Sequence, residues 1–166
     1  MKQKHLFHGT QIGNIKEFEP RISLDLTNKY VYATDDYAYA LVRAGKQLDL
    51  IREEYYGFEK PFELAECYPH SIGRMFDCSG YIYLFNPDDF EDHVYEFVSD
   101  KPVKPIDCIF IENIWMEMLK NASRYEIIWH GNEEYWKGVR GGREGFLKRK
   151  LETKRKLNEL LKKAQV

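Results

Sequence analysis

YVYATDDYAYALVRA, residues 30–44, changes its hydrophobic character part-way along. Up to Ala33 its β-branched and aromatic residues suit a strand. From Tyr37 its alanines, Leu41 and Val42 suit a helix, and Gly45 stops it. Thr34 or Asp35 is the expected N-cap. Before this stretch, KHLFH (4–8) reads as a short strand ending at Gly9. IGNIKEF (12–18) carries Ile12, Ile15 and Phe18 at a spacing of three, which predicts a short helix ended by Pro20. A loop through LDLTNK (24–29) then returns to Tyr30.

Beyond Gly45, residues 46–56 read as helical. Residues 57–79, where Pro61, Pro69 and Gly73 break any period, fit either a long loop closing over a pocket or a packed irregular segment. GYIYLF (80–85), HVYEFVS (93–99), PIDCIFIE (105–112) and RYEIIWH (124–130) read as strands. NPDD (86–89) is a turn, and WMEMLKNA (115–122) a short helix. The last element, 143–165, is a long helix with Phe146, Leu147, Leu151, Leu157 and Leu161 on one side and Lys and Arg around the rest. This order predicts an α+β fold rather than a repeating βαβ sheet. Residues 1–141 form one domain in this reading, and 142–166 a basic amphipathic helix packed on it or on a partner.

A chain of 166 residues with 43% hydrophobic content suits one domain with a real core. Cys67, Cys78 and Cys108 form no CxxC pair, which argues for a reducing compartment. No apolar run approaches membrane-spanning length, and the N-terminus lacks a signal-peptide core, so a cytoplasmic location is expected. The net charge of −2 is uneven. Residues 142–166 hold nine Lys/Arg against three Glu, a net of +6, and the remainder carries −8. That tail can attract a nucleic acid, an acidic protein or the chain's own body. A solvated basic face over a packed leucine stripe is the plainer reading.

Neither GxGxxG nor GxxxxGK[ST] occurs, so nothing suggests a dinucleotide-binding Rossmann turn or a P-loop. A metal site is not expected, because His5 and His8 are three apart on a strand and face opposite sides. LFHGT (6–10) instead places a ring, a bare backbone and a hydroxyl at a strand end. Gly9 permits close approach of a ligand, and its N–H and C=O match a carboxamide. Either nitrogen of His8 can bond a ribose hydroxyl. In YEFVS (95–99), strand alternation puts Glu96 between Val94 and Val98 on one face. A carboxylate there needs a partner or a task, unless that face is wet.

LFHGT, a strand entering an Ala-rich helix, and YEFVS, in that order, resemble the ADP-ribosyltransferase family. The similarity is nearest to its diphtheria-toxin and poly(ADP-ribose) polymerase branch and covers about the first two-thirds of the chain. The resemblance implies split antiparallel sheets with flanking helices, and NAD as substrate without a metal. It implies that His8 binds the ribose next to nicotinamide, that Gly9 holds the carboxamide, and that Thr10 is the following small hydroxyl residue. Glu96 matches the catalytic glutamate. The two family tyrosines fall at Val31 or Tyr32 and near Val42, which leaves Tyr32, Tyr37 or Tyr39 as the candidates for the aromatic wall. Arg21 is a candidate phosphate ligand. Two alternatives stay open: a catalytically inactive nucleotide-binding module of the same fold, and an RNA-directed enzyme related to the 2′-phosphotransferases.

Overall fold

Asp36, rather than Thr34 or Asp35, starts the central helix in the computed structural model, which describes residues 5–22 and 28–164. Its side chain accepts a hydrogen bond from the Ala38 amide at 3.0 Å and opens α1, Tyr37–Ala44. Thr34 Oγ1 accepts from the Asp36 amide at 3.0 Å, one step earlier. Ala38, Ala40, Leu41, Val42 and Ala44 are all buried, so α1 is surrounded by protein on most sides.

The described strands form three sheets. In the first, β6 (Gly80–Phe85) lies between β1 (Leu6–Thr10) and β9 (Asp107–Ile111), all antiparallel. The second has the order β2 (Arg21–Ile22), β3 (Lys29–Ala33), β8 (Glu96–Ser99), β7 (Glu91–His93), again antiparallel. The third has the order β10 (Tyr125–Ile128), β5 (Phe62–Glu66), β4 (Ile51–Glu54), and its β10–β5 pair is parallel. Helices α2 (Ser71–Phe76), α3 (Ile114–Lys120) and α4 (Glu133–Lys137) and the terminal α5 (Gly142–Ala164) complete the fold. The architecture is α+β with antiparallel sheets and a long C-terminal helix, as expected.

Small residues let α1 lie directly on the first sheet. A Cβ at Gly9 would sit 1.8 Å from the Ala40 carbonyl oxygen, and one at Gly80 2.7 Å from that of Ala44. Ala40 and Ala44, one helical turn apart, therefore meet two glycines on adjacent strands. The main core gathers around α1, with Phe62, Leu64, Phe76, Ile82 and Ile114. A second core fills the space between the first two sheets, with Leu6, Tyr83 and Phe85 facing Val31, Ala33 and Val103.

Five expectations are corrected. Residues 12–18 are not helical, because Asn14 takes a left-handed φ of 60°. The Tyr83 hydroxyl holds that segment by accepting from the Ile15 amide and donating to the Ile12 carbonyl, each at 3.0 Å. Residues 46–56 contain β4 rather than a helix, and 57–79 contain β5 and α2 rather than a loop or an irregular segment. There the gain is tertiary: Arg52 on β4 reaches Glu63 on β5 at 3.1 Å, and Ile51 is buried. HVYEFVS is not one strand but a tight hairpin, with Val94 and Tyr95 at its tip. Leu151 leaves the packed side of α5 and is 70% exposed, while Phe146 and Leu147 pack against the core of Ala65, Cys67, Ile128 and Trp136. The loop expected through LDLTNK falls largely on 23–27, outside the described residues.

Candidate functional site

Among the described residues the first two sheets meet at a single backbone bridge, just past the end of β3: Phe7 donates to the Thr34 carbonyl at 2.7 Å and Thr34 to that of Phe7 at 2.9 Å. Beyond it β1 runs on through His8, Gly9 and Thr10, while the other chain turns into α1. By the two-residue alternation of an antiparallel strand, the N–H and C=O of Gly9 point to the same edge as those of Phe7, away from β6. The donor–acceptor pair expected at Gly9 therefore faces the place where the sheets part. The need for glycine is different from the one anticipated: its bare Cα faces α1, not a ligand.

His8 lies on the other face of β1 from Phe7 and Gly9. Its ring stands edge-on to Phe18, with centroids 5.0 Å apart, and to Phe85 at 6.5 Å. Nδ1 is 2.7 Å from the Tyr32 carbonyl oxygen, which can only accept, so Nδ1 carries the proton. Burial pushes the imidazole below its ordinary value of 6.5; the Tyr32 carbonyl opposes that shift and the Arg21 charge adds to it. His8 is thus a neutral ring whose Nε2 is an acceptor. Only that nitrogen, and not either one, is free to bond a ribose hydroxyl.

Glu96 opens β8, half-buried, and accepts a hydrogen bond from the Tyr39 hydroxyl at 3.0 Å. Tyr39 is stacked on Phe62 (5.7 Å, 11° between planes) and tilted against Tyr55 at 4.6 Å. The Arg43 guanidinium lies 4.9 Å from its ring centre and pairs with Glu53 at 2.6 Å. Burial, together with Glu96, raises the Tyr39 hydroxyl to about 12, while Arg43 opposes the shift, so Tyr39 remains a donor at neutral pH. The Glu96 face is not the one expected. Val98 is buried beside it, but Val94 is 82% exposed in the hairpin tip, with a φ of 56° that strains a β-branched residue.

The other expected residues are distributed around these. Tyr32 shares a face of the second sheet with Val98 and Glu96, since Tyr32 pairs with Val98. Its ring is edge-on to Tyr30 at 6.0 Å. Val31 and Val42, at the positions of the family tyrosines, are core residues. The Thr10 hydroxyl accepts from the Ile12 amide at 3.2 Å and so orders the turn after β1. Arg21 is exposed on β2 opposite Tyr30, near enough to His8 to depress it. β3 pairs with β8 as far as Ala33 and Phe97, and Thr34 bridges to Phe7, so the β3 strand stands between β1 and the β8 strand that carries Glu96.

No family model, curated protein or solved structure matches the chain. The site therefore stands on its own geometry. Sequence reading missed Arg43, Tyr55 and Phe62, which hold Tyr39, and Asp36, which also ties Tyr55 (2.9 Å) and Arg124 to the start of α1. Local spacing carries no signal for these, because β4, β5 and α1 come together only in the folded chain. Two concavities, of about 500 and 630 Å³, lie against the Asn28–Tyr30 strand with the Asp88–Glu91 turn and against β9 with α3. Neither is lined by His8, Gly9, Tyr39 or Glu96. Among the described residues no group of His, Cys, Asp and Glu is placed to hold a metal, and no helix is long and apolar enough to cross a membrane.

Proposed function

We propose that the parting of the two sheets binds NAD and that the protein cleaves its nicotinamide–ribose bond, passing ADP-ribose to an acceptor. The observation that carries this reading is the Tyr39–Glu96 hydrogen bond, set one intervening strand away from the His8–Gly9 end of β1. Gly9 N–H and C=O would grip the carboxamide, and His8 Nε2 would accept from a ribose hydroxyl. Tyr32 would supply the aromatic wall, and Arg21 a phosphate contact.

In this mechanism the bond between the ribose anomeric carbon and the nicotinamide nitrogen breaks, and its electron pair leaves with nicotinamide. The Glu96 carboxylate faces the cationic ribosyl centre that remains and stabilises it, most strongly in a water-poor site. An acceptor lone pair then closes on that carbon, and its proton passes to a base. Tyr39 holds Glu96 in position until the substrate hydroxyl replaces it. The decisive assay is nicotinamide release from NAD by the purified protein. Glu96→Gln is expected to lower the rate by about 100-fold or more. Full release by that variant would sink the mechanism.

One observation favours a second reading, a nucleotide-binding module without turnover. Tyr39 has Phe62 and Tyr55 against it and Arg43 beside it, so its ring is already occupied as a stacking surface. Calorimetric binding of NAD with no nicotinamide release would select that module.

A further inference from the structure

Glu53, Arg43, Tyr39 and Glu96 form a continuous polar chain across β4, α1 and β8. Its outer links are hydrogen bonds. The Arg43 guanidinium donates to Glu53 at 2.6 Å, and the Tyr39 hydroxyl donates to Glu96 at 3.0 Å. Its middle link joins residues one helical turn apart on α1. There the guanidinium carbon of Arg43 stands 4.9 Å from the centre of the Tyr39 ring. Phe62 lies parallel to the same ring at 5.7 Å, and Tyr55 is tilted against it at 4.6 Å.

These neighbours act on different parts of Tyr39. Phe62 and Tyr55 constrain the plane and position of the ring. An apolar ring contact sets no direction for the hydroxyl hydrogen, which rotates to suit its partners. A guanidinium does set one. Arg43 has donors and no acceptor and carries a fixed positive charge, so it draws the oxygen's lone pairs toward itself and turns the hydrogen away. Glu96 is the acceptor that takes that hydrogen. The same charge opposes the rise of the Tyr39 hydroxyl that burial and Glu96 produce. Arg43 is itself anchored, because it and its partner Glu53 are both half-buried where α1 meets β4.

We propose that Arg43 is a positioning residue for Glu96: held by Glu53, it turns the Tyr39 hydroxyl toward the carboxylate and so fixes the carboxylate's direction. This rests on the reading of Glu96 as the group that faces the reacting ribose. Arg43 acts through Tyr39 rather than on the substrate. It also gives β4, a strand outside the two sheets that part at the site, a share in the chemistry.

A double-mutant cycle on urea unfolding tests the link without NAD. Arg43→Met, Glu96→Gln and the double variant are compared with wild type. The two effects on the unfolding constant should depart from a simple product by about threefold or more. In the Tyr39→Phe background the same cycle should close, because the connecting hydroxyl is gone. Arg43→Gln, which keeps a donor for Glu53 without the charge, should behave as Arg43→Met does, and Arg43→Lys should restore most of the coupling. A cycle that closes in the wild type, a coupling that survives Tyr39→Phe, or a charge-free Arg43→Gln that matches wild type would each overturn the proposal. In nicotinamide release, Arg43→Met should lower kcat by about tenfold with KM changed by less than about twofold, and Arg43→Lys should recover most of the rate. A rise in KM at unchanged kcat would also overturn it. If the wild type releases no nicotinamide, the transferase reading fails, and the unfolding cycle still decides whether Arg43 positions Glu96.

Discussion

A single hydrogen atom decides whether Gly9 can be replaced. An alanine methyl there would need the space of the Ala40 carbonyl, 1.8 Å away, on the least movable part of a buried helix. Gly9→Ala is expected to destabilise the protein by about 3 kcal/mol or more, read as a shift in urea midpoint at constant slope. His8 makes a second residue-scale prediction, on pH. Its folded value lies below 6.5, so between that lowered value and 6.5 the unfolded chain binds the extra proton. Stability is fully present above 6.5 and is lost as pH falls toward the folded value, by at most about 1.4 kcal/mol per pH unit. Denaturation at successive pH values should show this slope in the wild type and a shallower one in His8→Gln. Tyr39→Phe removes the hydroxyl from Glu96 and should cost about 1 kcal/mol.

At the scale of elements, α1 depends on its first turn. Asp36 is buried, caps the Ala38 amide, and receives Tyr55 and Arg124. Asp36→Ala would remove the cap and leave Arg124, three-quarters buried, without its carboxylate. The expected loss is about 3 kcal/mol or more, measured by chemical denaturation, with Asp36→Asn recovering part of it. The strand-then-helix reading of 30–44 was legible because both halves follow local rules and Gly45 ends the helix. The cap was misplaced by one or two residues because Thr, Asp and Asp stand in a row, and only the fold selects among them. β4 was missed because IREE is stabilised as a strand by Glu63 and Leu64, which a local pattern does not contain. Glu96 was found as a carboxylate in need of a partner. The partner, Tyr39, lies 57 residues away and was placed near the pocket only by resemblance.

Across the whole molecule, the thiols test the packing of the third sheet. Cys67 is buried and burial pushes its thiol up to about 11, whereas Cys108 is exposed on β9. A thiol reagent at neutral pH should modify Cys108 in minutes and Cys67 only on unfolding, followed by mass spectrometry of the labelled peptides. Rapid labelling of Cys67 would contradict the packing of α4 and α5 over it. Charge is also arranged at this scale: the body carries −8 and the tail +6, and the tail's ties to Asp49 bring part of the two together.

The bridge between Phe7 and Thr34 has a consequence for amide exchange. It is the only place where strand backbone of the first sheet bonds across to the second among the described residues, and its two hydrogens form one reciprocal pair. Neither can be released alone without strain on the other. In deuterated buffer the Phe7 and Thr34 amides should therefore exchange together, with one opening free energy below that of the Ile82 amide inside the first sheet. A ligand lodged between His8 and Glu96 would slow both by the same factor, so two backbone protons would report its arrival whatever it is.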